Sequence, residues 1–448
     1  MIEALFHLNF NATVPFSCLA LNLWPSTGNP VMFGLSFLAD KTAVAVSLFV
    51  AMIAQSVAAE PGHWSRFRGP SGTGISHAAE VPVEFDASDV VWETKLPVSG
   101  HSSPVQWGDR IFLTGAAGKG DAVERHVVCV DATSGEILWD RTAAVVSGEA
   151  LHKMNSWATP SCVTDGERVV AFFGAGGLHC FDNTGEKLWS KDLGTFPGGW
   201  GVGASPIIYK DLIIQNCDAE GASYLVGLDR KTGDEVWRTA REAKPRGGWS
   251  TPIVIDVDGH QELILNGEFG VAAYDPDSGK PLWHCNGFNG RGTPVPVWGH
   301  GMLYVVNGKS GDVYAVRPGG RGDVTKSHMA WHTDRRGGRD LPSPILVDRC
   351  LVAISMSGIA TGYDALSGEE LWKERLGGNY SGSPIAAGGR IYALAEDGTI
   401  VVMKPGKQLE LLARSKIDGN SGGVFRSSPG VVSNDLLIRS DHSLYRLK

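Results

Sequence analysis

Residues 130–139 read VDATSGEILW, and the phrase returns as FDNTGEKLW at 181–189, LDRKTGDEVW at 228–237, YDPDSGKPLW at 274–283 and YDALSGEELW at 363–372. An apolar residue leads into an Asp that can hydrogen-bond its own turn. The Gly supplies the positive φ that a tight turn needs, and the Trp falls on the strand that follows. Recurrence at a spacing of roughly 40–50 residues is the mark of a repeat architecture.

A second phrase, Ser or Thr with Pro before an apolar run, sets the count. It recurs in eight copies: SSPV at 102, TPSCV at 159, SPII at 205, STPIVI at 250, TPVPV at 293, SPIL at 343, SPIA at 383 and SSPGVV at 427. A short turn and a second apolar run follow most copies, as in GDRIFLT at 108–114, then a third run ending in the Asp and a fourth carrying the Trp. Four short strands per unit and eight units predict an all-β, eight-bladed β-propeller of four-stranded antiparallel blades. The Trp strand recurs at Trp92, Trp139, Trp189, Trp237, Trp283, Trp331 and Trp372, but the stretch near 411 offers only LELLAR, which predicts one weakened seam. Trp139, Trp189, Trp237, Trp283 and Trp372 are expected to fill wedges between blades, each burying on the order of 200 Å².

The ends complete each other. VVWETKL at 90–96 reads as an outer strand with no strands before it, and HSLYRLK at 442–448 as a third strand with no fourth. Joining them gives the last blade both chain termini and removes two open edges.

The 448 residues are 43% apolar and 20% charged, with 58 glycines and a net charge of −8, which excludes a disordered chain and argues against binding nucleic acid or an anionic membrane surface. Residues 1–59 stand apart. They contain AVAVSLFVAMIA at 43–54 after Lys41, then SVAAE at 56–60, the pattern of an export signal cleaved after Ala58 or Ala59, with a start at Met32. The expected domains are residues 1–59 as an upstream extension and removed signal peptide, 60–89 as a lead-in, and 90–448 as the propeller. The mature chain is expected to hold no integral membrane span and to be periplasmic or in the cell envelope. The six cysteines from Cys129 to Cys350 stand singly, with no metal, haem or dithiol spacing, and read as buried strand residues.

The Asp-x-x-[Ser/Thr]-Gly-x-x-x-Trp phrase resembles the repeat of the PQQ-type, quinoprotein-like β-propellers from about residue 90 onward. With HWSRFRGPSGTGIS at 63–76 and the plain eight-blade layout, the chain is most similar to exported proteins resembling the propeller subunit of the outer-membrane β-barrel assembly machinery (BamB-like). That resemblance implies a non-catalytic scaffold. A quinoprotein dehydrogenase would show a vicinal Cys-Cys pair and a Ca²⁺-binding Glu/Asn/Asp set, and neither is recognisable, so no catalytic residue, metal ligand, PQQ or Ca²⁺ is assigned. The alternative is a divergent PQQ-dependent oxidoreductase or a carbohydrate-active enzyme. Three local matches read as loops: DGNSGG at 418–423, RGD at 321–323, and DVDGHQE at 256–262, which reads as an Asp-Gly hairpin.

The segments entering the innermost strands should reach the top mouth of the central channel. They carry His101, Asn155, Trp157, Trp200, Trp249, Arg291, Arg339, Asn379, Tyr380 and Phe425 among glycines. Such a funnel suits a peptide, a carbohydrate or an exposed strand of an envelope protein. Packing that plugs the channel accounts for the same aromatics equally well.

Overall fold

The computed structural model describes residues 62–448, apart from 79, 121, 148, 242–246, 289, 310, 335–340 and 418–422; the expected leader at 1–59 lies outside them. Eight antiparallel sheets form the ring. Their innermost strands begin at Val105, Val163, Ile207, Ile253, Val297, Ile345, Ile385 and Gly430, and these number blades 1 to 8.

The repeated phrase builds both the turn and the seam. In blade 1, Asp131 Oδ1 accepts the backbone N–H groups of Thr133 at 2.9 Å and Ser134 at 2.7 Å. In blade 6, the Arg349 guanidinium, then the turn N–H of Ser367, hold the Asp364 carboxyl down to about 2. The glycine is needed twice over. Gly135, Gly233 and Gly368 have φ of 78°, 75° and 76°. A Cβ on each would also sit 2.7 Å from the indole of the preceding blade, Trp92, Trp189 and Trp331 respectively. Those indoles donate back to the next blade's turn: Trp92 to the Ala132 carbonyl at 3.2 Å, Trp189 to Arg230 at 3.1 Å and Trp331 to Ala365 at 3.1 Å. One short phrase therefore folds its own hairpin and receives its neighbour's Trp.

Blade 7 lacks the Trp, and its register shows what replaces it. Ala413 pairs with Val402 as Trp372 pairs with Gly362 in blade 6. The seam expected to be weak is filled from elsewhere. Buried Val81 and Phe85 of the lead-in pack there with Tyr392, Phe425, Leu436 and Tyr445. The Val81 carbonyl accepts the Tyr392 hydroxyl at 2.8 Å, and the Phe85 N–H donates to Ser415 Oγ at 2.8 Å.

Blade 8 closes as the end strands require. Its outer strand, Val90–Lys95, pairs antiparallel with Ser443–Leu447, with Trp92 opposite Arg446 and Lys95 opposite Ser443. The Ser443 and Tyr445 hydroxyls both donate to Glu93 at 3.0 Å. Asp256 to Gly259 forms the expected hairpin, with Val257 opposite His260. Gly322–Asp323 of the RGD triplet is more than a loop, since it adds in parallel to the outer strand of blade 4 opposite Trp283 and His284. Of DGNSGG, residues 418–422 lie outside the described residues.

Candidate functional site

The second repeated phrase proves to line the central channel. Its hydroxyls accept backbone N–H groups from the neighbouring blade: Ser103 N–H donates to Ser161, Ser161 to Ser205 and Ser205 to Thr251, each at 2.9 Å. On the other side Val295 N–H donates to Ser343 at 2.9 Å, Ser343 to Ser383 at 3.0 Å, Ser383 to Ser428 at 2.8 Å, and Ser428 back to Ser103 at 3.0 Å. Seven of the eight inner-strand positions carry the hydroxyl. Blade 5 has Val295 there, so the circuit is interrupted once. Each bond satisfies a buried N–H that inner-strand pairing leaves without a partner, and it ties blade to blade.

Below this ring the channel is closed by the lead-in. Trp64 pairs with Gln106, Ser65 O accepts the Thr164 N–H at 2.9 Å, and Ile75 bridges to Ala386. Arg66 donates to the Pro252 carbonyl at 2.9 Å. Arg68 donates to Pro344 at 2.8 Å, Pro384 at 3.4 Å and Thr73 at 2.7 Å. The partners on the inner strands stand one to three residues past the hydroxyl position, so the segment crosses the channel beneath the ring. Burial pushes the Arg68 guanidinium down to about 9, which leaves it protonated at neutral pH. It is held by carbonyl dipoles rather than by a carboxylate.

Above the ring lies a pocket of about 190 Å³ whose floor includes Phe67 of that segment. Its wall takes one residue from every blade, two positions before the hydroxyl: His101, Thr159, Gly203, Trp249, Thr293, Leu341, Ser381 and Arg426. Longer loops add His152, Met154, Asn155, Trp200, Arg291 and Met356. Trp200 is gripped on its ring, with the His152 imidazole 4.3 Å from it and the Arg291 guanidinium 4.2 Å from it. Arg291 holds this place from a φ of 65°, a strained conformation for a residue with a Cβ. The Trp249 indole donates to the Gly201 carbonyl at 3.0 Å, and Asn155 Nδ2 donates to the Trp200 carbonyl at 2.7 Å and to Val202 at 3.1 Å. Burial, then the charges of Arg426 and Arg439, hold the His101 imidazole down to about 4, with Asp441 opposing them.

Of the residues expected in the funnel, His101, Asn155, Trp200, Trp249 and Arg291 line the pocket. Others do not. Trp157 packs against Ala116, Val123 and Ala158 beneath the Arg125 guanidinium, 5.4 Å from its ring. Tyr380 is buried among Ile354, Leu376 and Ala395, and Phe425 among Ile417, Tyr445 and Leu394, so both fill seams between blades. Asn379 is exposed outside the lining, and Arg339 lies outside the described residues. Arg426 and His152 are lining residues that the aromatic criterion missed. The signal that finds Arg426 is its phase, two residues before Ser428.

The described lining holds neither a carboxylate nor a cysteine. A Ca²⁺-bound quinone would find no acidic ligand for its ion there, so this donor set does not fit that cofactor.

The family model described as outer membrane protein assembly factor BamB matches residues 123–294 and 267–409, more than half of the 448 residues. The chain belongs to that family. BamB of Burkholderia pseudomallei is 24% identical over 355 residues, which span 70% of this chain and 87% of that protein. The crystal structure of BamB from Moraxella catarrhalis superposes with a TM-score of 0.57 at 18% identity, covering 80% of this chain and 99% of that one. A europium-containing methanol dehydrogenase gives 0.63 at 13% identity over 85% of this chain and 89% of its own. Identities this low carry the propeller fold to both and no chemistry to either.

Proposed function

We propose that the protein is an exported, non-catalytic propeller of the cell envelope that binds a ligand or a partner's segment in its top pocket and serves assembly as a scaffold. The observation that carries this reading is the blind pocket itself, floored by the chain's own lead-in and walled by one variable residue from every blade. A channel that served only as packing would be filled from both ends. Similarity to assembly factors along most of their length supports the scaffold role. Among the described residues no helix is long and apolar enough to cross a membrane.

The test is capture of partners from envelope extract by the mature chain and by a Trp200→Ala, Trp249→Ala double variant with an unchanged melt. Loss of a captured partner in the variant is expected, and equal capture overturns the pocket's role. Incubation with PQQ and Ca²⁺ followed by dye-linked alcohol oxidation addresses the enzymatic alternative. Clear turnover would overturn the scaffold reading.

A further inference from the structure

Inner strands run downward from the ring hydroxyls, so their first hairpins turn on the lower face. There, outside the sealed mouth and between blades 3 and 4, lies a second cavity of about 280 Å³. Its origin is a change in the repeat. In blade 3 the first hairpin ends with Tyr209 opposite Leu212, whereas in blade 4 the pair at that level, Ile255 and Glu262, is followed by Asp256 opposite Gln261 and Val257 opposite His260. The longer hairpin encloses Glu262, which is 2% exposed. Blade 5 changes too, because an insertion stands where its Asp-Gly turn would receive the Trp283 indole. The indole donates instead to Glu262 Oε2 at 2.8 Å. Glu262 Oε1 is left on the cavity side with no hydrogen bond among the described residues, and Arg321 Nη1 of the insertion stands 3.7 Å from it.

Register shows what is unusual about Glu262. In blades 1 and 2 the turn Asp stands opposite an arginine, Asp131 opposite Arg110 and Asp182 opposite Arg168. In blade 4 Leu263 pairs with Tyr274, which brings Glu262 opposite the turn's own Asp275. Like charges directly opposite one another repel. Both line the cavity with Asp277, Lys210 and Arg321, three carboxylates against two basic side chains, beside the His260 imidazole. Asp277 is already committed, since its oxygens accept Lys210 Nζ at 2.9 and 3.0 Å and its Oδ2 the Tyr209 hydroxyl at 3.3 Å. Asp275 gives Oδ1 to the N–H and hydroxyl of Ser278, each at 2.8 Å, and leaves Oδ2 without a hydrogen bond among the described residues.

From this juxtaposition we infer that the lower cavity takes a primary ammonium group between Glu262 Oε1 and Asp275 Oδ2. A buried carboxylate oxygen without a donor is costly, and one further positive charge balances the lining. A guanidinium fork needs both oxygens of a carboxylate, and Trp283 holds one of Glu262's, so Arg321 pairs with it only loosely. A compact ammonium takes one oxygen from each carboxylate. Such an ammonium has two sources, a free alkylamine or a lysine side chain of a polypeptide. The site lies on the face away from the top pocket and does not depend on it.

Matched probes that differ in charge test the site on the mature chain. By calorimetry, cadaverine is compared with 1,5-pentanediol, and Nα-acetyl-lysine methylamide with its Nε-acetylated form. A preference of roughly tenfold or more for the ammonium is expected, and the pair with the larger preference identifies the source. Glu262→Gln, whose side-chain oxygen can still accept the Trp283 indole, should abolish the preference with the melt unchanged. Arg321→Ala removes a competing charge and should tighten ammonium binding several-fold. Equal binding of charged and neutral probes, or no binding of any of them at millimolar concentration, overturns the site. So does a preference that survives Glu262→Gln or, should that variant unfold, one that Arg321→Ala weakens or leaves unchanged.

Discussion

The two mouths of the channel are separated by one ring of hydroxyls, and they treat arginine in opposite ways. Below the ring, Arg66 and Arg68 spend their donors on carbonyls of blades 4, 6 and 7, and the mouth is sealed. Above it, Arg291 lies over Trp200 and Arg426 faces a cavity of about 190 Å³. The seal comes from a segment outside the repeat; the open side comes from the repeat's variable position. The extra segment thus decides which of the two differently lined mouths is left open for binding.

The contrast can be broken in order of expected effect. Both mouths depend on the ring staying closed, so deleting residues 442–448 should cost most. Ser443–Leu447 would no longer pair Val90–Lys95, two edges would open, and the cooperative thermal transition should be lost or fall by more than about 10 °C. An unchanged melt would contradict the shared blade.

Next comes the seal. Arg68→Ala removes a fully buried side chain and strands the Pro344 and Thr73 carbonyls, so a loss of about 4 kcal/mol in urea unfolding is expected. A value under about 1 kcal/mol would mean that the lower mouth is held by something other than these bonds.

The open mouth should register in pH. His101 falls from an ordinary 6.5 to about 4 when folded, so between those values the unfolded chain binds more protons. Stability that is fully present above about 6.5 is therefore lost as pH falls toward 4, by about 3 kcal/mol for this residue. His101→Asn should flatten that part of the stability profile. A variant with the wild-type slope would remove His101 as its source.

Between the mouths, Ser383→Ala deletes the acceptor of the Ser343 N–H and should cost about 2 kcal/mol by chemical denaturation. The control is position 295, where the natural residue already lacks a hydroxyl. If Ser383→Ala is neutral, the ring is ornament rather than a tie between blades. The smallest stability effect belongs to Trp200→Ala, which should move the melt by less than about 1 kcal/mol while weakening ligand binding at least tenfold. A large loss of stability would make Trp200 channel packing and draw the two mouths together.

What neighbouring residues encode could be read without coordinates. Turn, Gly and Trp lie within ten residues in VDATSGEILW, so their phrase announces its own hairpin, and counting phrases yields eight blades and the shared closure. The Trp seams were legible for the same reason, since Trp92, Trp139, Trp189, Trp237 and Trp331 each dock on the turn glycine of the next copy of the phrase. Which glycine-flanked aromatics face the channel is set by packing across blades. Trp249 stands two residues before its ring hydroxyl and lines the pocket, whereas Phe425 stands three before Ser428 and turns into a seam. One residue reverses a side chain's direction in extended backbone, and composition carries no such phase. The seal was hidden for another reason. Arg68 meets Pro344 and Pro384 across 276 and 316 residues, and Val81 and Phe85 fill the seam left by Ala413. Those contacts exist only once the ring has closed and brought blades distant in sequence around one axis.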